Sequence, residues 1–239
     1  MFSRSWLLTT LIVFAGTAVC ARLGIWQLAR LEQRRAFNIQ VESMRAADLL
    51  DLNRNVSADI SLMEWRAVTV TGEYDFENQV VLRNQYNGSQ YGYHLITPLL
   101  FKGGAVLVNR GWIPADGNAA PEDWRQYDEA GQVTVMGQIR LGHDKPAFGG
   151  VADAEFSPEQ MRLDAWNNFN VVRISEQSPY SLLPVYIQLS ADENNTGPPI
   201  AYQPVVELTE GSHFGYALQW FAFATILFAG YPFFLRKQE

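Results

Sequence analysis

The sequence predicts a two-span membrane protein of the α+β class, with two transmembrane helices flanking one β-rich, antiparallel, barrel-like exported domain. Three observations predict it. Apolar runs long enough to cross a bilayer stand near both ends of the 239-residue chain. Between them lie short, β-branched, alternating runs separated by Asn-Gly and Gly-Gly turn signals. The single cysteine, Cys20, sits inside an apolar run, so a monomer has neither a disulfide framework nor a thiolate metal cluster to build on.

The first apolar run extends from Ser5 to Ala21 and continues past Arg22 through Leu23-Gly24-Ile25-Trp26. With Arg22 snorkelling to the interface, the stretch reaches spanning length. It lacks the small-residue cleavage site of a signal peptide, and Thr17 and Val19 flank Cys20 where a lipoprotein signal needs other residues. An uncleaved anchor is the better reading. Gly16, Cys20 and Gly24 recur at four-residue spacing, which is either chance or a small face that lets another helix approach; the second apolar run offers Gly215, Ala222 and Ala229 in return. From Leu23 to about Leu50 few breakers occur, so the first span is expected to continue into water as helix.

After Asp59 the period changes to two. Trp65 to Tyr74, Gln79 to Gln85, Tyr91 to Leu100 and Ala105 to Trp112 read as an antiparallel meander, turning at Asn87-Gly88 and at Lys102-Gly103-Gly104. A polar loop from Pro114 to Gln132 precedes a further strand, Val133 to Arg140. Residues 141–168 read as irregular or partly helical, and Asn170 to Ile174 and Pro184 to Leu189 as two short late strands. The polar stretch 191–199 reads as a linker to the second span, Phe214 to Leu235, in which Trp220 and Tyr231 are interfacial residue types.

Charge orients the chain. It carries 25 acidic against 18 basic side chains, a net charge of −7. The ends hold Arg4, Arg22, Arg236 and Lys237 against Glu239, so the acidic surplus lies in the middle. An acidic domain offers no footprint to nucleic acid. Arg236-Lys237 leaving the second span, against Glu207 and Glu210 leading into it, places the C-terminus in the cytoplasm, and two spans return the N-terminus there. Arg30, Arg34 and Arg35 after the first span argue the other way, but long domains translocate largely regardless of charge.

The sequence contains no HExxH, CxxC, CxxCH, GxSxG or P-loop motif. Carboxylate pairs such as Glu122/Asp123 and Asp128/Glu129 fall in one polar loop and read as solvated surface. His94, in an otherwise apolar strand, reads as a satisfied core histidine. Asn109-Arg110-Gly111-Trp112 has two readings: an arginine stacked on tryptophan at a barrel rim, or an anion contact. His213 is the membrane-proximal histidine. At about 100° per residue it shares a stripe of about 60° with Tyr216 and Trp220, and is either a hydrogen-bonding anchor or a ligand.

Leu23-Gly24-Ile25-Trp26-Gln27-Leu28-Ala29-Arg30-Leu31 leaving the first span, Trp65-Arg66 followed by Val70 and Gly72-Glu73-Tyr74, Val108-Asn109-Arg110-Gly111-Trp112-Ile113-Pro114, and His213 with Tyr216-Ala217 and Trp220-Phe221 occur in that order. Together they resemble the surfeit-locus (Shy) family of cytochrome oxidase assembly proteins, over nearly the whole chain. The resemblance implies a non-enzymatic assembly factor for haem–copper cytochrome c oxidase that helps haem a reach the catalytic subunit. Its implied partners are that subunit, the haem a synthesis machinery and the lipid bilayer. The alternative is a membrane scaffold that stabilises an oxidase assembly intermediate without binding haem.

For bacterial members the resemblance implies a transient haem a site with His213 as the iron ligand and no other metal. Tyr216, Trp220 and Phe221 would cover the porphyrin and Trp26 and Gln27 line its other wall, while Arg30 and Arg110 either pair with propionates or are plain salt-bridge or cation–π residues. The first span begins at Ser5 without a long presequence, so a bacterial inner membrane is expected. The expected organisation is a cytoplasmic end at 1–4, spans at 5–26 and 212–235, a periplasmic domain at 27–211 and a cytoplasmic end at 236–239.

Overall fold

The computed structural model describes residues 4–56, 59–146, 148–191, 197–202 and 204–237. Most of the expected linker, 192–196, and parts of both expected cytoplasmic ends lie outside them. In chain order the elements are α1 (Arg4–Ala46), β1 (Leu50–Asp51), β2 (Ala67–Tyr74), β3 (Val80–Asn87), β4 (Gln90–Phe101) and β5 (Gly104–Pro114). They continue as α2 (Pro121–Trp124), β6 (Gln132–Arg140), β7 (Ala165–Trp166), α3 (Val171–Glu176), β8 (Leu182–Leu189) and α4 (His213–Arg236). The chain divides into two units, residues 43–205 and a helical unit made of 1–42 with 206–239.

The first unit is a closed five-stranded barrel. Its ring runs β2-β6-β8-β5-β4 and closes where β2 meets β4, through Glu73↔Leu100 and Tyr74↔Leu99. The closure is tight: a Cβ on Gly72 would lie 2.2 Å from the Leu100 carbonyl oxygen, so only glycine fits the crossing. β4 changes partner along one edge, from β3 up to Ile96 to β2 from Leu99. Pro98 stands in the gap, where its missing N–H costs no ladder bond and its carbonyl accepts from Asp75 N at 2.9 Å. The barrel is the expected one with a refinement: β8 pairs parallel to β5, which makes the sheet mixed.

Alternation fills the interior. Val68, Val70, Leu99, Val106, Val108, Val135, Ile139 and Ile187 form one buried cluster. β5 is buried on both faces, because a second cluster lies outside the ring. There Leu163, Trp166, Phe169, Val171 and Ile174 pack on Val80, Ile96, Leu107 and Tyr186. The stretch expected to be irregular therefore covers one outer face of the barrel.

Three local expectations change. β2 pairs with β6 and β4 rather than with β3, so the expected meander reduces to β3, β4 and β5. The late strand expected at 170–174 is the helix α3, because the Asn170 side chain accepts from Arg173 N at 3.1 Å and caps a turn whose Val171 and Ile174 share the buried side. The strand expected from Trp65 begins at Ala67, because Trp65 has φ +78° and leaves the extended region. Its ring packs under the Arg140 guanidinium at 3.7 Å.

In the helical unit α1 and α4 run antiparallel. Half-buried and buried positions recur on α1 at alternating steps of three and four, including Thr10, Val13, Thr17, Cys20, Gly24 and Gln27, and on α4 at His213, Ala217, Trp220, Ala224, Leu227 and Tyr231. This is the seam of a left-handed helix pair. Thr10 Oγ1 meets Tyr231 Oη at 2.6 Å, Phe14 stacks edge-on against Phe228, and the Gly24 surface receives the Phe221 ring. Gly16 and Gly24 lie on the packing face as expected. The stripe Gly215, Ala222 and Ala229 does not; all three are exposed, and Ala217 and Ala224, a heptad apart, take the inner face instead. Both helices are long and apolar enough to cross a membrane.

Candidate functional site

His213 is the first residue of α4. The turn closes when Tyr216 N donates to Ser212 O at 3.1 Å. The imidazole faces α1, and its Nδ1 lies 2.8 Å from Gln27 Oε1. An amide oxygen only accepts, so Nδ1 donates, and the tautomer that does so has its lone pair on Nε2. Nε2 has no partner among the described residues. Gly211 leaves that edge clear: a Cβ there would stand 3.5 Å from Cδ2 and 3.8 Å from Nε2.

The other expected site residues separate into groups. Gln27 and His213 are brought into contact. Trp26 is exposed and lies under the Arg30 guanidinium at 5.7 Å, while Arg30 also donates to Gln33 Oε1 at 3.1 Å. Tyr216 is exposed on the flank of α4, outside the packing face that holds His213 and Trp220. Trp220 stands edge-on to Phe223.

Arg110 belongs to the barrel unit and has its own partners. β5 carries a bulge at this point: Leu95 pairs with Gly111 and Ile96 with Asn109, so Arg110 is the extra residue. Gly111 takes φ +128°, and a Cβ there would lie 2.3 Å from the Ile200 carbonyl oxygen. The bulge buries the guanidinium, only 2% exposed, beside Tyr74 and Phe76 at 4.9 and 5.3 Å. It donates to Gln79 Oε1, to the Tyr127 carbonyl and to Glu129. Arg110 is thus stacked, as one reading expected, but on Tyr74 and Phe76 rather than on Trp112. Burial pushes the Tyr74 hydroxyl up to about 12.

Sequence reading counted Arg34 and Arg35 only as topology signals. They also tie α1 to the segment that leads into α4. Arg34 donates to the Glu207 and Thr209 carbonyls, and Arg35 pairs with Glu210 at 2.8 Å. The Arg35 hydrogen bond holds the Glu210 carboxyl below its usual range. Opposite charges beside the two spans were the legible signal. Among the described residues no group of three His, Cys, Asp or Glu side chains is placed to hold a metal ion.

Two membrane-length helices joined by a histidine–amide contact, on a chain that also carries a closed mixed barrel, define a membrane protein with a β-barrel domain. A profile of the SURF1 family matches residues 14–225. The chain belongs to the SURF1 family. It is 23% identical over 243 residues to a SURF1-like protein of Caenorhabditis briggsae, covering 92% of this chain and 73% of that protein. A SURF1-like protein of Rickettsia conorii is 24% identical over 235 residues, covering 96% of this chain and 92% of the other. A shorter match, 26% over 114 residues, covers 46% of this chain and 29% of the Saccharomyces cerevisiae cytochrome oxidase assembly protein SHY1.

Proposed function

We propose that this chain assists the assembly of a haem–copper cytochrome c oxidase by holding haem a briefly as cargo on its way to the catalytic subunit. The family and the name of the yeast relative support the assembly role. One observation carries the haem reading: the 2.8 Å contact from His213 Nδ1 to Gln27 Oε1. A ligating histidine characteristically donates its other ring nitrogen to an acceptor that fixes tautomer and orientation. Gln27 does this, and Nε2 is left with a lone pair beside Gly211.

In this reading His213 Nε2 binds the iron. Trp220 and the exposed rings of Tyr216 and Trp26 offer apolar cover for a porphyrin, and Arg30 offers a propionate a charge-assisted partner. Arg110, with its donors committed inside the barrel, is assigned to the barrel's own stability. A single protein ligand on a lipid-facing surface suits a carrier, because deep burial would slow release. The protein sits in a bacterial inner membrane with both termini cytoplasmic and the barrel periplasmic, near the haem a synthesis machinery.

The same contact supports a second reading, since a hydrogen bond between helices is also what an anchor provides: a scaffold that holds an oxidase intermediate without touching haem. The two are separated by purifying the protein from cells that make haem a and recording absorption spectra of wild type and His213→Ala. Haem in wild type and its loss in the variant is the expected result. Wild type without haem, or equal haem in both, sinks the ligand role and leaves the scaffold. A deletion strain whose oxidase keeps its full haem content would remove the assembly role itself.

A further inference from the structure

The barrel unit contains a cleft of about 450 Å³, within the range of about 300–1,000 Å³ typical of small-molecule sites. His94 on β4 lies at its floor, only 7% exposed. Asn109 Nδ2 stands 3.1 Å from His94 Nδ1 and donates to Gln188 Oε1 at 3.0 Å, while Asn109 Oδ1 accepts from Gly111 N. Gln188 is held in turn by the Tyr202 carbonyl. An amide nitrogen only donates, so His94 Nδ1 accepts and the ring proton is on Nε2. That N–H has no partner among the described residues. The His94 side chain lines the cleft, so this N–H is open to a ligand or to solvent there.

The walls define what could meet it. In a chain with 25 acidic side chains, no carboxylate lines the cleft among the described residues, whereas Lys145 does. Phe169 and Tyr186 stack at 3.8 Å and, with Leu82, form an apolar wall. Without a carboxylate the cleft offers a hard cation such as calcium or magnesium no charged ligand. One lysine beside a mostly apolar lining suits a single negative charge better than a phosphate. We infer that this cleft is a binding site for a small monocarboxylate with a flat, unsaturated body: the carboxylate accepts from His94 Nε2 and pairs with Lys145, and the body lies against Phe169 and Tyr186. Burial keeps the imidazole neutral, so His94 contributes a hydrogen bond and Lys145 the charge.

The test is a fluorine NMR titration of the full chain in phosphatidylcholine nanodiscs, with para-fluorobenzoate as probe and neutral para-fluorobenzyl alcohol as control. Wild type binds benzoate saturably and the alcohol at least about tenfold more weakly. His94→Phe weakens benzoate about tenfold or more. His94→Gln, which restores an N–H, stays within about threefold of wild type. Lys145→Met, an exposed and structurally safe change, weakens it about threefold at low salt and less at high salt. No saturable binding, equal binding by all variants, or an alcohol bound as tightly as the acid overturns the site. If His94→Phe does not fold, the other two variants and the alcohol decide. This site is independent of the haem reading, and either can fail alone.

Discussion

Gln27 Oε1 accepts from His213 Nδ1 at 2.8 Å, joining the two membrane-length helices across 186 residues of sequence. The bond decides which imidazole nitrogen is free. Gln27→Leu is therefore expected to lower haem retention by about tenfold or more while the helices remain paired, because orienting partners of ligating histidines are worth roughly that much. Gln27→Glu, which still accepts, keeps haem. Haem content per protein, read by absorption after purification, checks both; unchanged haem in Gln27→Leu would separate the hydrogen bond from the ligand role.

Gly24 admits the Phe221 ring: a Cβ at Gly24 would lie 2.7 Å from Phe221 Cε1. Gly24→Val is expected to push the helices apart, at a cost of about 1–3 kcal/mol from overpacking. Adding Phe221→Ala should recover most of that loss. A thermal melt of wild type, single and double variants shows the coupling, and additive losses would mean that the two residues do not share the seam.

His94 has a clear pH signature. Burial pushes its imidazole down to about 4, against an unfolded value of 6.5. Between those two values the unfolded chain takes up a proton that the folded barrel refuses. Stability from this residue is therefore complete above pH of about 6.5, falls as pH drops toward 4, and is then lower by about 3 kcal/mol. Melts followed by tryptophan fluorescence should show this slope in wild type and its absence in His94→Gln.

Arg110 and Glu129 form an unequal pair, with side chains 2% and 60% exposed. Arg110→Met is expected to cost about 2–4 kcal/mol, since it leaves the buried Gln79 and the Tyr127 carbonyl short of a donor and strips two rings of their cation. Glu129→Gln should cost less than about 1 kcal/mol, as solvent replaces the lost charge. Equal losses in the two variants, measured by denaturant unfolding, would show the ion pair rather than the burial to be what matters. Arg110→Lys should not rescue, because a compact ammonium reproduces neither the planar guanidinium's fixed fork nor its stacking on Tyr74 and Phe76.

The barrel was legible wherever alternation was strong. β4 and β5 stand where Tyr91 to Leu100 and Ala105 to Trp112 placed them, because β-branched runs around Lys102-Gly103 leave few other options. The outer core was not legible. Leu163, Trp166 and Phe169 recur at steps of three without the alternation of a strand or the mixed threes and fours of a helix stripe, and only the barrel surface they cover makes them a core. Nor could sequence show that Arg110 is a bulge residue, since a bulge depends on what the partner strand pairs with. At the site, Gln27 was visible as a polar residue at the end of an apolar run, and its partner followed once the spans were antiparallel. The stripe on the second span fails by phase and not by period: Gly215, Ala222 and Ala229 also stand seven apart, but two residues, about 200° around the helix, from the seam through Ala217 and Ala224. The cleft beneath His94 was hidden for a different reason: one ring nitrogen is satisfied, and the unsatisfied one shows only in three dimensions.

β8 fits between β5 and β6, pairing Ala105 with Leu182 on one side and Gly137 with Leu189 on the other. It is also the last strand of the ring to be synthesised. Until Leu189 has been made, β5 and β6 each expose an unpaired edge, the kind of surface that recruits neighbouring chains into aggregates. The nascent domain is therefore at its most vulnerable late in its own synthesis, and a product that stops short of Leu182 has no ring to close.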